Sequence, residues 1–129
     1  MLSLPSAVKI YLAAEPTDMR RGFDGLAAMV IAQGQDVYSG HLFAFVSKRR
    51  DRAKILCWDR GGFVLWYKRL ERGRFRLPLI APDTTTVQID AGQLAMLLDG
   101  VDIRSVRRNQ AWKPPTGNQA QGIDSSPSL

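Results

Sequence analysis

Between His41 and Leu70, three apolar runs follow one another with almost no chain between them. They are His41–Ser47 (HLFAFVS), Ala53–Trp58 (AKILCW) and Phe63–Leu70 (FVLWYKRL). Their branched and aromatic residues suit strands. The first connector, 48–52, reads KRRDR; the second, 59–62, reads DRGG, with two glycines free to take positive φ. A parallel neighbour needs a crossover of a dozen or more residues. These connectors are far shorter, so the three runs must pair antiparallel, as a meander. Phe75–Leu77 is placed to add a further strand after a turn at Glu71–Gly73. Pro78 and Pro82 then interrupt regular structure.

The flanking segments supply helices. Val8–Ala13 (VKIYLA) reads as a strand that Pro16 ends. Thr17 or Asp18 then offers an N-cap, and Met19, Phe23, Leu26, Ala27 and Val30 fall at helical spacing. Gly22 and Gly25 weaken this helix by about 1 kcal/mol each relative to Ala, so it depends on packing. Gly34 is its expected stop. Thr84–Ile89 (TTTVQI) reads as another strand. Asp90 and Gln93 form a capping-box pattern ahead of the stripe Leu94, Leu97 and Leu98, and Gly100 ends that helix. Val101–Val106 fits neither period. Lys113–Leu129 is rich in Pro, Ser, Gly, Asn and Gln and reads as a disordered tail. The expected fold is α+β: a small antiparallel meander of three to five strands packed with two helices. Residues 1–112 form the single domain and 113–129 the tail.

Side-chain parity sets the packing. Phe43 and Phe45 share a face, as do Leu56 and Trp58. In the third run Phe63, Leu65 and Tyr67 face one way, and Val64, Trp66 and Lys68 the other. Both faces are therefore apolar. One packs on the first helix; the other needs the second helix or a partner. The aromatics read as core and subunit interface rather than as platforms for bases.

Charge is distributed unevenly. The chain of 129 residues carries +6, yet residues 48–76 hold eleven Lys or Arg against three acids, a net +8. The remainder holds seven basic and nine acidic residues, a net −2. So local an excess points to an anionic partner. Arginine dominates, and its planar fork suits phosphate better than lysine does. The candidate nucleic-acid-binding residues are Lys48, Arg49, Arg50, Arg52 and Lys54 around the first connector, and Arg69, Arg72, Arg74 and Arg76 after the third run.

Catalysis finds little support. His41 and Cys57 are the single histidine and cysteine, too few for a zinc site. The aspartates stand mostly beside turns and helix ends, where capping explains them. No set converges as a two-metal site requires. No glycine-rich phosphate loop precedes a helix. No catalytic residue, metal or cofactor is expected. One cysteine forbids an intramolecular disulfide, and neither a signal peptide nor a membrane-length apolar run is visible. A cytoplasmic location follows, nucleoid-associated when bound to DNA, with no membrane partner.

Four longer stretches carry a resemblance: PTDMRRGFDGLAAMV (16–30), SGHLFAFVSKRRDRAKILCWD (39–59), LWYKRLERGRF (65–75) and QLAMLLDGVD (93–102). In this order they resemble the accessory protein TnpB of IS-66 type bacterial insertion sequences, from about Val8 to Arg108. The resemblance implies a role in DNA transposition beside a separate, larger transposase that carries the acidic catalytic triad. It does not extend to the RNA-guided nucleases that share the TnpB name. Departures are Cys57, where the family usually has a second aromatic, and Ile103-Arg104, where it has WR. The expected function is a non-catalytic accessory factor that binds DNA at the element's ends. The alternative is an assembly factor joining the transposase, another element-encoded accessory protein or a second copy of itself.

Overall fold

The computed structural model describes residues 7–100. The elements run β1 (Ile10–Ala13), α1 (Phe23–Ala32), β2 (Leu42–Val46), β3 (Arg52–Asp59), β4 (Gly62–Arg69), β5 (Thr86–Ile89) and α2 (Ala91–Leu98). One five-stranded sheet has the order β4-β3-β2-β1-β5. β2, β3 and β4 form the antiparallel meander, and β5 pairs antiparallel with β1. β1 and β2 are parallel, which the α1 crossover between them permits. The fold is therefore α+β with a mostly antiparallel sheet.

Both faces are covered. Leu26, Ala27 and Val30 of α1 pack with Phe43, Phe45 and Leu56. Leu94 and Leu97 of α2 pack on the opposite face with Leu12, Leu42, Val46 and Ile55. The second helix thus supplies the cover that the apolar second face required. Burial falls off along β4. Val64, Trp66 and Tyr67 are exposed, because β4 lies at the sheet edge and neither helix reaches across it. These three are not the core residues that their strand pattern suggested.

Three local expectations change. α1 begins at Phe23 rather than near Met19, with Gly22 as N-cap and no side-chain cap. The Asp18 carboxylate is taken by the backbone N–H and guanidinium of Arg20, at 2.9 and 2.6 Å, and is lost to capping. Phe75–Leu77 forms no strand. Phe75 instead plugs the α2-side core, fully buried, and its N–H donates to the Arg50 carbonyl at 2.6 Å. In the β3–β4 turn the positive φ angles fall on Arg60 (47°) and Gly61 (89°), while Gly62 opens β4. That is the two-residue hairpin turn whose twist suits the flanking strands, with arginine where Asn or Gly is preferred. The capping box of α2 is formed as its pattern implies, with Gln93 N–H donating to Asp90 Oδ1 at 2.7 Å. Val101–Val106 and the tail at 113–129 lie outside the described residues.

Candidate nucleic-acid interface

One end of the sheet gathers most of the charged loops. β2 leaves the sheet there and β3 enters it, and β1 and β4 end there. The C-terminus of α2 returns to the same end, where Lys68 Nζ donates to the Leu98 carbonyl at 2.9 Å. A cation at the last turn of a helix complements its dipole. Lys68 is therefore a helix anchor.

Between β2 and β3, residues 48–51 form a tight loop closed by Ser47 N–H donating to the Arg52 carbonyl at 2.9 Å. Ser47 Oγ accepts from Arg52 N–H at 3.2 Å and donates to Asp51 Oδ1 at 3.3 Å. The loop's one acid is thereby hydrogen-bonded within the loop. Arg50 sits at φ 63°, the left-handed region, at a cost of roughly 1–2 kcal/mol for a residue with a Cβ. Two bonds lock the later basic segment onto this loop. Leu70 N–H donates to the Asp51 carbonyl at 2.7 Å, and Phe75 N–H to that of Arg50. With Phe75 buried, Arg74 and Arg76 beside it are left exposed. Arg49, Asp51, Leu70, Glu71, Arg72, Gly73 and Arg74 line an open cleft between the two segments.

Arg52 and Arg69 stand directly opposite each other across β3 and β4. The Arg52 carbonyl is directed to Ser47, so this is a non-hydrogen-bonded pair, the kind whose side chains approach most closely. Like charges so placed cost stability. Arg69 is relieved by Glu71 Oε2, at 3.1 Å from Nε and 2.9 Å from Nη2. Arg52 has no carboxylate within 4.0 Å among the described residues, nor do Lys48, Arg49, Arg50, Arg72, Arg74 and Arg76.

Lys54 departs from the expected set. It is only 7% exposed, and its ammonium donates to the carbonyls of Met19 and Arg21, at 2.8 Å each. It also lies 4.7 Å from the centroid of the Tyr67 ring. Buried beneath the segment ahead of α1 and committed to two of its carbonyls, it does not join the exposed arginines. The eight other candidates are exposed at this end of the sheet or in the segment locked to it.

Two arginines escaped the reading of sequence. Arg20 and Arg21 reach the same end, because Thr17 N–H donates to the Val46 carbonyl at 2.9 Å and Lys54 holds Arg21 from below. The paired arginines before Gly22 were the available signal; assigning them to a helix concealed it. Arg20 is paired with Asp18, whose carboxyl it pulls down to about 2. The contribution of that ion pair is complete above the ordinary carboxylate value of 3.8 and is lost as pH falls through about 2. Burial, with Asp59 nearby, pushes the Cys57 thiol up, away from nucleophilic use. His41 Nδ1 accepts from the Lys9 N–H at 3.1 Å.

Comparison with known proteins gives the family. Residues 8–108 match the family model described as IS66 Orf2 like protein. Two proteins of Sinorhizobium fredii (strain NBRC 101917 / NGR234) are similar. "Uncharacterized protein y4jC" is 33% identical over 115 residues, covering 88% of this chain and 97% of that protein. "Uncharacterized protein y4hO" is 36% identical over 118 residues, covering 86% and 96%. No solved structure matches. With nearly the whole described fold inside the matched span, the chain belongs to the IS66 Orf2-like family of transposition-associated accessory proteins.

Proposed function

We propose that this protein is a non-catalytic accessory factor for transposition of an insertion sequence and that it binds DNA, at the element's ends, through the basic end of its sheet. The observation that carries the proposal is the convergence of two arginine-rich segments with so few acids to pair them. Arg49 on one segment faces Arg72 and Arg74 on the other across one cleft, Arg50 is tied to the second segment through its carbonyl, and of the nine candidate residues only Arg69 has a carboxylate partner among the described residues. The opposed Arg52–Arg69 pair adds an electrostatic cost that a phosphate would remove. Contacts of this kind fix position on the backbone more than they read sequence.

The test is a titration of the purified protein against element-end DNA and scrambled DNA at several salt concentrations. Neutralising six phosphates gives a slope of log K against log salt of about −5. Absence of binding at low salt would falsify the proposal; equal affinity for both sequences would confine it to non-specific holding.

A second reading rests on β4. Val64 and Trp66 are exposed beside an outer edge that no described strand covers. Such an edge suits a protein partner: the transposase, a fellow accessory protein or a second copy. A pull-down with the transposase in the presence of nuclease separates the two readings. Association that survives the nuclease is carried by protein contacts; association that disappears was bridged by DNA.

A further inference from the structure

We infer that Tyr67, Arg52 and Arg69 form a site for one unpaired nucleotide, so that the protein engages single-stranded DNA at the margin of its basic end. The inference rests on the DNA-binding proposal and specifies the kind of DNA. Tyr67 and Arg69 are two residues apart on β4, on the face that carries α1. Their cross-strand partners on that face are Lys54 and Arg52. The four side chains make a two-by-two array of one aromatic ring and three cations.

The ring is held for stacking. The Lys54 ammonium sits 4.7 Å from its centroid and is itself fixed by two backbone carbonyls. That ammonium braces one side of the ring, while Tyr67 remains 50% exposed at the sheet edge. A base can lie on the open side, and any base will do, since each has a π-face. Arg69 lies about 7 Å further along the strand, a span that a nucleotide covers between its base and its phosphate. There Arg52 offers a guanidinium with no carboxylate partner among the described residues, and Arg69 one whose contacts with Glu71 use only two of its five N–H donors. Paired bases in a duplex are stacked on their neighbours and cannot present a face to the ring. Single strands can, as can frayed or processed DNA ends.

The full chain should be titrated, by fluorescence anisotropy at one salt concentration, with a labelled single strand of about 20 nucleotides, a length exceeding one such binding surface, and with its duplex. The single strand is expected to bind more tightly. Tyr67→Leu should weaken single-strand binding about fivefold or more while leaving duplex affinity within about twofold. Tyr67→Phe should keep the preference, because stacking needs the ring and not the hydroxyl. Arg52→Gln should weaken both ligands, with the single-strand salt slope reduced by about 0.7. A thermal melt confirms that each variant is folded. Duplex binding with no single-strand preference and no effect of Tyr67→Leu overturns the nucleotide site and leaves the broader proposal standing. Loss of preference in Tyr67→Phe also overturns it. Failure to bind either ligand overturns both.

Discussion

Lys54 contributes a charge to the basic window of the sequence but none to the exposed surface. Its ammonium joins β3 to the segment ahead of α1 through the Met19 and Arg21 carbonyls. Replacing it with Met keeps much of the stem and removes both donors. The loss should be about 2 kcal/mol, the usual penalty for stranding polar partners, measured by chemical denaturation. The salt slope of DNA binding should not change, because a buried ammonium releases no counterions from DNA. A slope that falls by about 0.9 would return Lys54 to the interface. Arg60 makes the opposite prediction. At φ 47° it occupies a turn position that Asn fills at less cost. Arg60→Asn should therefore raise the denaturation midpoint, by about 0.5–1 kcal/mol in stability; an unchanged midpoint would mean the turn stores no strain.

At the scale of elements, Phe75 decides whether the two basic segments behave as one. Its ring is buried beneath α2, and its N–H is bonded to Arg50. Phe75→Ala should cost about 3–5 kcal/mol and detach the Arg72–Arg76 segment from the hairpin loop. DNA affinity should fall although no arginine has been touched. Intact affinity in a folded variant would show that the lock does not matter for binding. Phe75 also marks what the sequence could and could not reveal. Alternation and short connectors disclose the meander, because pairing geometry leaves no other choice. The capping box discloses the start of α2 for the same local reason. Phe75 followed a turn and looked like another strand, but its role depends on a cavity between α2 and the sheet that only the assembled fold creates. Lys54 likewise read as a phosphate contact, and nothing pointed to Lys68 as a helix anchor, since their three carbonyl partners lie 35, 33 and 30 residues away. The exposed half of β4 was hidden by strand order, which alternation alone does not encode.

Across the whole molecule, the sheet separates cohesion from charge. Two apolar clusters occupy its faces, and the arginine-rich loops project from one end. Their proximity does not by itself mean that one DNA molecule touches both segments, but linkage can decide the point. Replacing Arg49 and Arg50 with Gln should reduce the duplex salt slope by about 1.8, and replacing Arg72 and Arg74 by the same amount, at about 0.9 per phosphate. If one duplex spans the cleft, the fourfold variant should lose about 3.6, since each neutralised phosphate releases its own counterions. If only the hairpin loop meets DNA, the Arg72 and Arg74 replacements should leave the slope alone and instead weaken association with an acidic protein partner. The assembly reading would then apply to that segment and the DNA reading to the hairpin. Measuring the three slopes on a single duplex, with stability checked by melting, distinguishes a shared surface from two adjacent ones.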